Sequence, residues 1–243
     1  MYPVLFRIGS FEVSSFGVLV AAGALVGLWL FRRELERRRL PMEATDAALV
    51  GVLAGLAGAK LLWVFEHLGD APFTSLLFSR AGLSWFGGFA GGVGAALWMM
   101  RRRRWPVVPL VAAATPALAV GHAIGRIGCF LVGDDYGRPS ALPWAVAFPE
   151  GAPPTDVPVH PTQLYEAAAL MPIAWLLIRW RRRGVSDRQV LGAYLLLTGI
   201  LRFLIEFVRV NERVALGLTV AHWAALAVVA VGAGLVTATA ARK

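Results

Sequence analysis

Seven apolar runs of membrane-spanning length decide what this chain can fold into. They are Val13–Phe31, Ala47–Phe65, Gly82–Met100, Val107–Phe130, Gln163–Trp180, Val190–Val208 and Leu216–Thr237. A bilayer takes about 20 mostly apolar residues per crossing. Inside lipid each backbone amide must be satisfied within its own segment, so every run is expected to be a helix. The runs consume most of the 243 residues and leave no room for a separate soluble domain. With 58% hydrophobic and 16% charged residues, the composition is far from that of a soluble domain. The expectation is an all-α polytopic membrane protein with about seven transmembrane helices, a single integral membrane domain over residues 1–243.

The net charge of +9 could point to nucleic acid, but its distribution points to a membrane. Basic clusters stand after the first run (Arg32, Arg33, Arg37–Arg39), the third (Arg101–Arg104), the fifth (Arg181–Arg183, Arg188) and the seventh (Arg242–Lys243). The intervening loops carry scattered cations, Arg7, Arg80, Arg138, Arg209 and Arg213, diluted by acids such as Glu66, Asp70, Asp134, Asp135 and Glu150. Cations concentrated in every second loop follow the positive-inside rule and put the N-terminus outside and the C-terminus in the cytoplasm. A nucleic-acid partner would need a contiguous basic face, and none is expected. Met1–Glu12 holds Pro3, a single arginine and a Gly9–Ser10 turn instead of a basic leader, so the first span is expected to be retained.

Residues 133–161 are the longest stretch that is not apolar, and their many prolines forbid a long helix. They are expected to form a small ordered extracytoplasmic cap, with Trp144–Pro149 as a short strand. The glycine-rich pieces GVLAGLAGAK and GGFAGGVGAA are expected to let helices pack closely. The single cysteine, Cys129, allows neither an internal disulfide nor a two-cysteine metal site. There is no Walker loop, no dinucleotide fingerprint and no HExxH, so neither cofactor nor metal is expected.

Against this apolar background a few polar residues stand out. His122 and Arg126 lie in the fourth run, Lys60 in the second, Glu166 in the fifth, and Arg202 and Glu206 in the sixth. A cation at membrane depth costs roughly 3 kcal/mol or more unless it faces a partner or a polar cavity. Residues four apart share a helix face, which pairs His122 with Arg126 and Arg202 with Glu206. Each has a bland reading too: Arg202 and Glu206 as a structural ion pair, Lys60 as a snorkelling surface cation, His122 as a packed core histidine. Arg126 is flanked by Gly125 and Gly128 and has no acid within reach on its own helix. Several cations converging with few acids imply an anionic ligand. In an outward-facing membrane cavity the obvious anion is a phospholipid phosphodiester, which arginine matches with two parallel hydrogen bonds.

Four segments resemble those of the prolipoprotein diacylglyceryl transferases. GRIGCFLVGDDYGRP resembles the family signature G-R-x-G-N-F-x-N-x-E-x-x-G, VHPTQLYEA resembles H-P-[ST]-Q-L-Y-E, LRFLIEFVR resembles F-R-x-x-x-E-x-x-R, and SWFGGFAGG resembles S-[FW]-H-G-G. They fall in the family's order and cover essentially the whole chain. The resemblance implies an enzyme of the bacterial cytoplasmic (inner) membrane. It would move the sn-1,2-diacylglyceryl group of phosphatidylglycerol to the lipobox cysteine thiol of a secreted precursor, forming a thioether and releasing glycerol phosphate. It further implies that Arg126, Arg202 and Glu206 are catalytic. Donor and acceptor binding is expected to fall to Lys60, Arg126, Arg138, Asp134, His160, Gln163, Tyr165 and Glu166.

The chain departs from the family pattern at chemically important positions. Phe86 stands where the family has histidine, Phe16 where it has tyrosine, Cys129 and Val132 where it has asparagines, and Asp134 where it has glutamate. Thiol alkylation needs the thiolate, so some group must take a proton. His122, one turn before Arg126, is the expected base, with Asp134 and His160 next. The alternatives are a non-catalytic lipid-binding or transport protein on the same scaffold, or a paralogue using another lipid donor or acceptor.

Overall fold

The computed structural model describes residues 1–9, 11–79 and 82–240, so Arg80 and the Arg242–Lys243 cluster lie outside the described residues. Two compact units are present, Met1–Leu30 with Val111–Lys243, and Phe31–Leu110.

Seven long helices overlay the seven apolar runs in order. They are α1 (Ser15–Arg38), α2 (Ala44–Glu66), α4 (Trp85–Arg102), α5 (Val107–Val132), α6 (Thr162–Arg182), α7 (Asp187–Glu206) and α8 (Val220–Ala240). A short helix, α3 (Phe73–Phe78), occupies what the sequence suggested was plain loop. Among the described residues five helices are long and apolar enough to cross a membrane by length and composition: α1, α2, α5, α7 and α8. The helices carry the fold as expected, and among the described residues three short two-stranded antiparallel hairpins connect or precede them: β1 (Val4–Ile8) with β2 (Phe11–Ser14), β3 (Val146–Phe148) with β4 (Thr155–Val159), and β5 (Arg213–Ala215) with β6 (Leu218–Thr219). The first takes up the start of the first apolar run. Gly9 turns it at φ +61°, and Ser14 then accepts the Gly17 amide and starts α1.

Within Phe31–Leu110, α2 and α4 pack through glycine. A Cβ on Gly92 would stand 2.9 Å from the Gly51 carbonyl oxygen, and one on Gly91 only 2.6 Å from that of Ala54. Backbones this close exclude any larger residue.

In the other unit, α5, α6 and α7 meet around Ala119, Ala123, Ala167, Leu170 and Ala174, with Tyr194 and Leu201 against them. Alanines of α5 and α6 share this buried cluster, and Arg126 reaches Glu166 between the same two helices. Pro116 inside α5 removes the amide that would have bonded the Ala112 carbonyl, and Thr115 Oγ1 donates to that carbonyl instead, at 2.9 Å.

Within residues 133–161, β3 falls in the Trp144–Pro149 piece read as a short strand. Tyr136 stacks on the buried Phe148 ring at 5.4 Å and donates from its hydroxyl to the Pro153 carbonyl. The Gly137 amide donates to the His160 carbonyl and the Arg138 amide to that of Val208. The segment is thereby tied to the start of α6 and the end of α7, where the charged residues lie.

Candidate active site

Three arginines and three carboxylates form a closed ring of alternating charge. Arg126 Nη1 donates to Asp135 Oδ2 at 2.9 Å, and Arg209 Nη2 donates to Asp135 Oδ1 at 2.5 Å. Arg209 Nε lies 3.9 Å from Glu206 Oε2, which is 2.8 Å from Arg202 Nη2. Arg202 Nη1 donates to Glu166 Oε1 at 3.3 Å, and Glu166 Oε2 closes the circuit 2.8 Å from Arg126 Nε. That last contact is an ion pair without hydrogen-bond alignment, since Arg126 Nε has no hydrogen-bond partner among the described residues.

The ring has a buried side and an open side. Arg126, Glu166, Glu206 and Arg209 are buried. Arg202 and Asp135 keep 36% and 49% of their side-chain surface exposed, so a ligand would arrive on their side. Arg126 Nη2 is buried with no hydrogen-bond partner among the described residues. An unmet guanidinium N–H beside an open ring is a donor waiting for an anionic oxygen.

His122 stands one turn from Arg126 on α5, with Nε2 3.8 Å from Glu166 Oε2 and 53% of its side chain exposed. It faces the ring and is not packed away in the core.

The expectation of few acids is corrected. Three carboxylates balance three arginines, because Asp135 reaches Arg126 from the loop and Glu166 from the next helix. Counting acids along one helix could not find either. Asp135 adopts φ +59°, in the left-handed region that aspartate tolerates better than most residues, and this turn brings its carboxyl to the arginines. Burial works against its charge, but Arg209 and Arg126 outweigh that and hold its carboxyl below the usual range. Asp134, the residue expected from the signature, is outside the ring. Its carbonyl accepts from the buried Gln163 amide. Burial pushes its carboxyl up from the ordinary value, against a hydrogen bond with Cys129 and with help from Asp135.

Arg138 Nε donates to the Arg209 carbonyl at 3.0 Å. His160 Nδ1 lies 3.3 Å from the Tyr165 hydroxyl, which accepts from Trp144 Nε1 at 2.8 Å. Lys60 belongs to the Phe31–Leu110 unit, where its Nζ donates to the carbonyl and hydroxyl of Ser79 and lies 4.6 Å from the Trp63 ring. Phe86, in the same unit, is exposed and sits edge-on to Trp85.

Sequence reasoning gave no role to Arg209, Asp135, Asn211, Thr219 or His222. Asn211 Nδ2 and Thr219 Oγ1 each donate to Glu206 Oε1 at 2.7 Å. Arg209 had a signal, as the last residue of LRFLIEFVR; the rest had none.

A family model described as prolipoprotein diacylglyceryl transferase matches residues 3–238. The chain is similar to proteins named phosphatidylglycerol–prolipoprotein diacylglyceryl transferase. Identity is 34% to that of Pseudomonas putida, covering 86% of this chain and 81% of the other. It is 32% to that of Cupriavidus metallidurans, covering 96% and 92%, and 27% to that of Clostridium tetani, covering 88% and 87%.

Proposed function

The chain belongs to the prolipoprotein diacylglyceryl transferase family, and from that premise we propose that it moves a diacylglyceryl group from phosphatidylglycerol to a lipobox cysteine of a precursor protein. The observation that carries this reading is Arg126, buried in the ring of three arginines and three carboxylates with Nη2 unmet among the described residues, the partly exposed Arg202 and Asp135 belonging to the same ring.

The reaction exchanges one bond for another. The acceptor thiolate attacks the glyceryl carbon that bears the phosphate ester. A C–S bond forms, the C–O bond breaks with its electron pair on oxygen, and glycerol phosphate leaves. Arg126 and Arg202 hold the phosphate oxygens, and the charge that grows on the leaving group falls on their forks. Glu166 and Glu206 orient those two arginines. His122 takes the thiol proton, with Glu166 placed to stabilise the imidazolium that results. Asp134 and His160 are the next candidates for that proton. His160, Gln163, Tyr165, Arg138 and Lys60 complete donor and acceptor binding. No step calls for a metal or cofactor.

The same reading puts the protein in the bacterial cytoplasmic membrane, as a single integral membrane domain with seven spans. Its N-terminus is outside and its C-terminus cytoplasmic, and residues 133–161 form the extracytoplasmic cap. The basic loops at alternate helix ends support that orientation.

The test is purified protein with phosphatidylglycerol and a lipobox peptide. Turnover raises the peptide mass by one diacylglyceryl group and releases one glycerol phosphate per peptide. Lipid binding without either product leaves a non-catalytic lipid-binding or transport protein. Transfer only from another lipid or to another thiol identifies a paralogue.

A further inference from the structure

Glu206 is held from a part of the chain that the proposed reaction does not use. Its side chain is fully buried. Oε1 accepts from Asn211 Nδ2 and from Thr219 Oγ1, both at 2.7 Å, and Oε2 faces Arg202 and Arg209. Thr219 ends β6, directly before α8 begins at Val220.

Thr219 is fixed in turn by His222. The Thr219 amide donates to His222 Nδ1 at 3.2 Å, and the His222 amide donates back to Thr219 Oγ1 at 3.3 Å. This is a reciprocal N-terminal capping arrangement with histidine in the place usually taken by glutamate or glutamine. Because Nδ1 accepts a backbone N–H, the neutral ring carries its proton on Nε2. His222 is buried, and the Phe203 and Phe207 rings of the α7 end stand against it with centroids 5.0 and 4.6 Å away. The Thr219 hydroxyl lies 3.1 Å from His222 Nδ1 and 2.7 Å from Glu206 Oε1, and the nearer, charged acceptor takes its proton.

We propose that Thr219 and His222 are positioning residues for Arg202, acting through Glu206. A carboxylate with both Oε1 bonds in place cannot rotate, so Oε2 keeps its charge 2.8 Å from Arg202 Nη2, an ion pair without hydrogen-bond alignment among the described residues. Arg202 is partly exposed, and Glu166 draws on its other Nη at 3.3 Å. Without a fixed Glu206 nothing on α7 would hold its fork toward the open side of the ring. Two charge-assisted bonds from outside α7 supply that constraint. The inference rests on the reading that Arg202 binds the donor phosphate.

The experiment compares Thr219→Val, Thr219→Ser, His222→Leu and His222→Gln with the wild type in lipid nanodiscs. Transfer to a lipobox peptide and the thermal shift given by phosphatidylglycerol are both read. Thr219→Val keeps the shape and loses both the donor to Glu206 and the cap acceptor, so the melting temperature without added lipid should fall modestly, as for a lost cap, while kcat/KM for phosphatidylglycerol falls about tenfold at a temperature where the variant is folded. Thr219→Ser and His222→Gln, which restore the hydroxyl donor and the cap acceptor, should stay within about threefold of wild type, and His222→Leu should follow Thr219→Val. On a Glu206→Gln background Thr219→Val should add no further loss, since the relay is already cut. Wild-type kinetics in Thr219→Val, or losses that simply multiply with Glu206→Gln, overturn the inference while wild-type turnover leaves the transferase reading intact. A wild type without transfer overturns that reading, and the thermal shift then decides. A shift equal in wild type and Thr219→Val rejects the positioning role, and a shift lost in Thr219→Val and recovered in Thr219→Ser supports it.

Discussion

Arg126 and Glu166 face each other from adjacent helices with Nε and Oε2 2.8 Å apart, both buried from solvent. Glu166 also takes Arg202 on its other oxygen. Neutralising it therefore leaves two guanidinium groups facing one uncharged amide. Breaking a buried pair by removing one partner costs about 3–5 kcal/mol. Glu166→Gln is expected to melt well below wild type in detergent and to lose most turnover. A variant that melts and turns over like wild type shows that the pair holds nothing.

Arg202 and Glu206 make a second contact across one helical turn, at 2.8 Å. Arg202 is partly exposed, so solvent weakens the pair. A double-mutant cycle on thermal stability, with Arg202→Gln and Glu206→Gln, should still give a coupling of at least about 0.5 kcal/mol. Additive losses would mean that the two side chains act independently.

Asp135 makes stability depend on acid. Its folded carboxyl titrates below the ordinary value because Arg209 and Arg126 outweigh its burial. The unfolded chain therefore binds the proton first as pH falls. The stabilisation is present above the ordinary carboxylate pKa, near about 4, and is lost as pH drops through the lower folded value. Asp135→Asn should melt below wild type at neutral pH, with the gap narrowing as pH is lowered past the ordinary carboxylate value. A gap that stays constant across that range would exclude the bridge as its cause.

As the general base, His122 is expected to set the rising limb of the pH–rate profile. His122→Gln should lower the rate by roughly 100-fold or more and flatten that limb. An unchanged rate and profile would move the proton to Asp134 or His160.

The sequence made the helices and four of the six ring members legible, and the reasons are physical. Apolar runs of bilayer length can satisfy their amides only as helices, and all seven run onto one. Arg126, Glu166, Arg202 and Glu206 stood out because charge is costly in such runs. Asp135 was hidden because the signature points to Asp134, and only the left-handed turn at Asp135 decides which acid reaches the arginines. Thr219, Asn211 and His222 were hidden because ordinary polar residues near a helix start carry no mark of the partner they reach. The Thr219 to Glu206 bond spans 13 positions and depends on how α8 returns beside α7. Short hairpins such as β1–β2 depend on a turn and a few pairs, which an apolar-run reading absorbs into the adjacent span.

The central claim is that the Arg126 ring handles the donor phosphate, and Arg126→Lys tests it most directly. Lysine keeps the charge and loses the planar fork, along with the N–H group that stands unmet at Nη2. The measurement is kcat/KM for transfer from phosphatidylglycerol to a lipobox peptide, by a variant shown to insert and melt as the wild type does. The expected result is a loss on the order of 100-fold, the size seen when one positioned donor to a developing oxyanion is removed. Wild-type kcat/KM in Arg126→Lys would contradict the account.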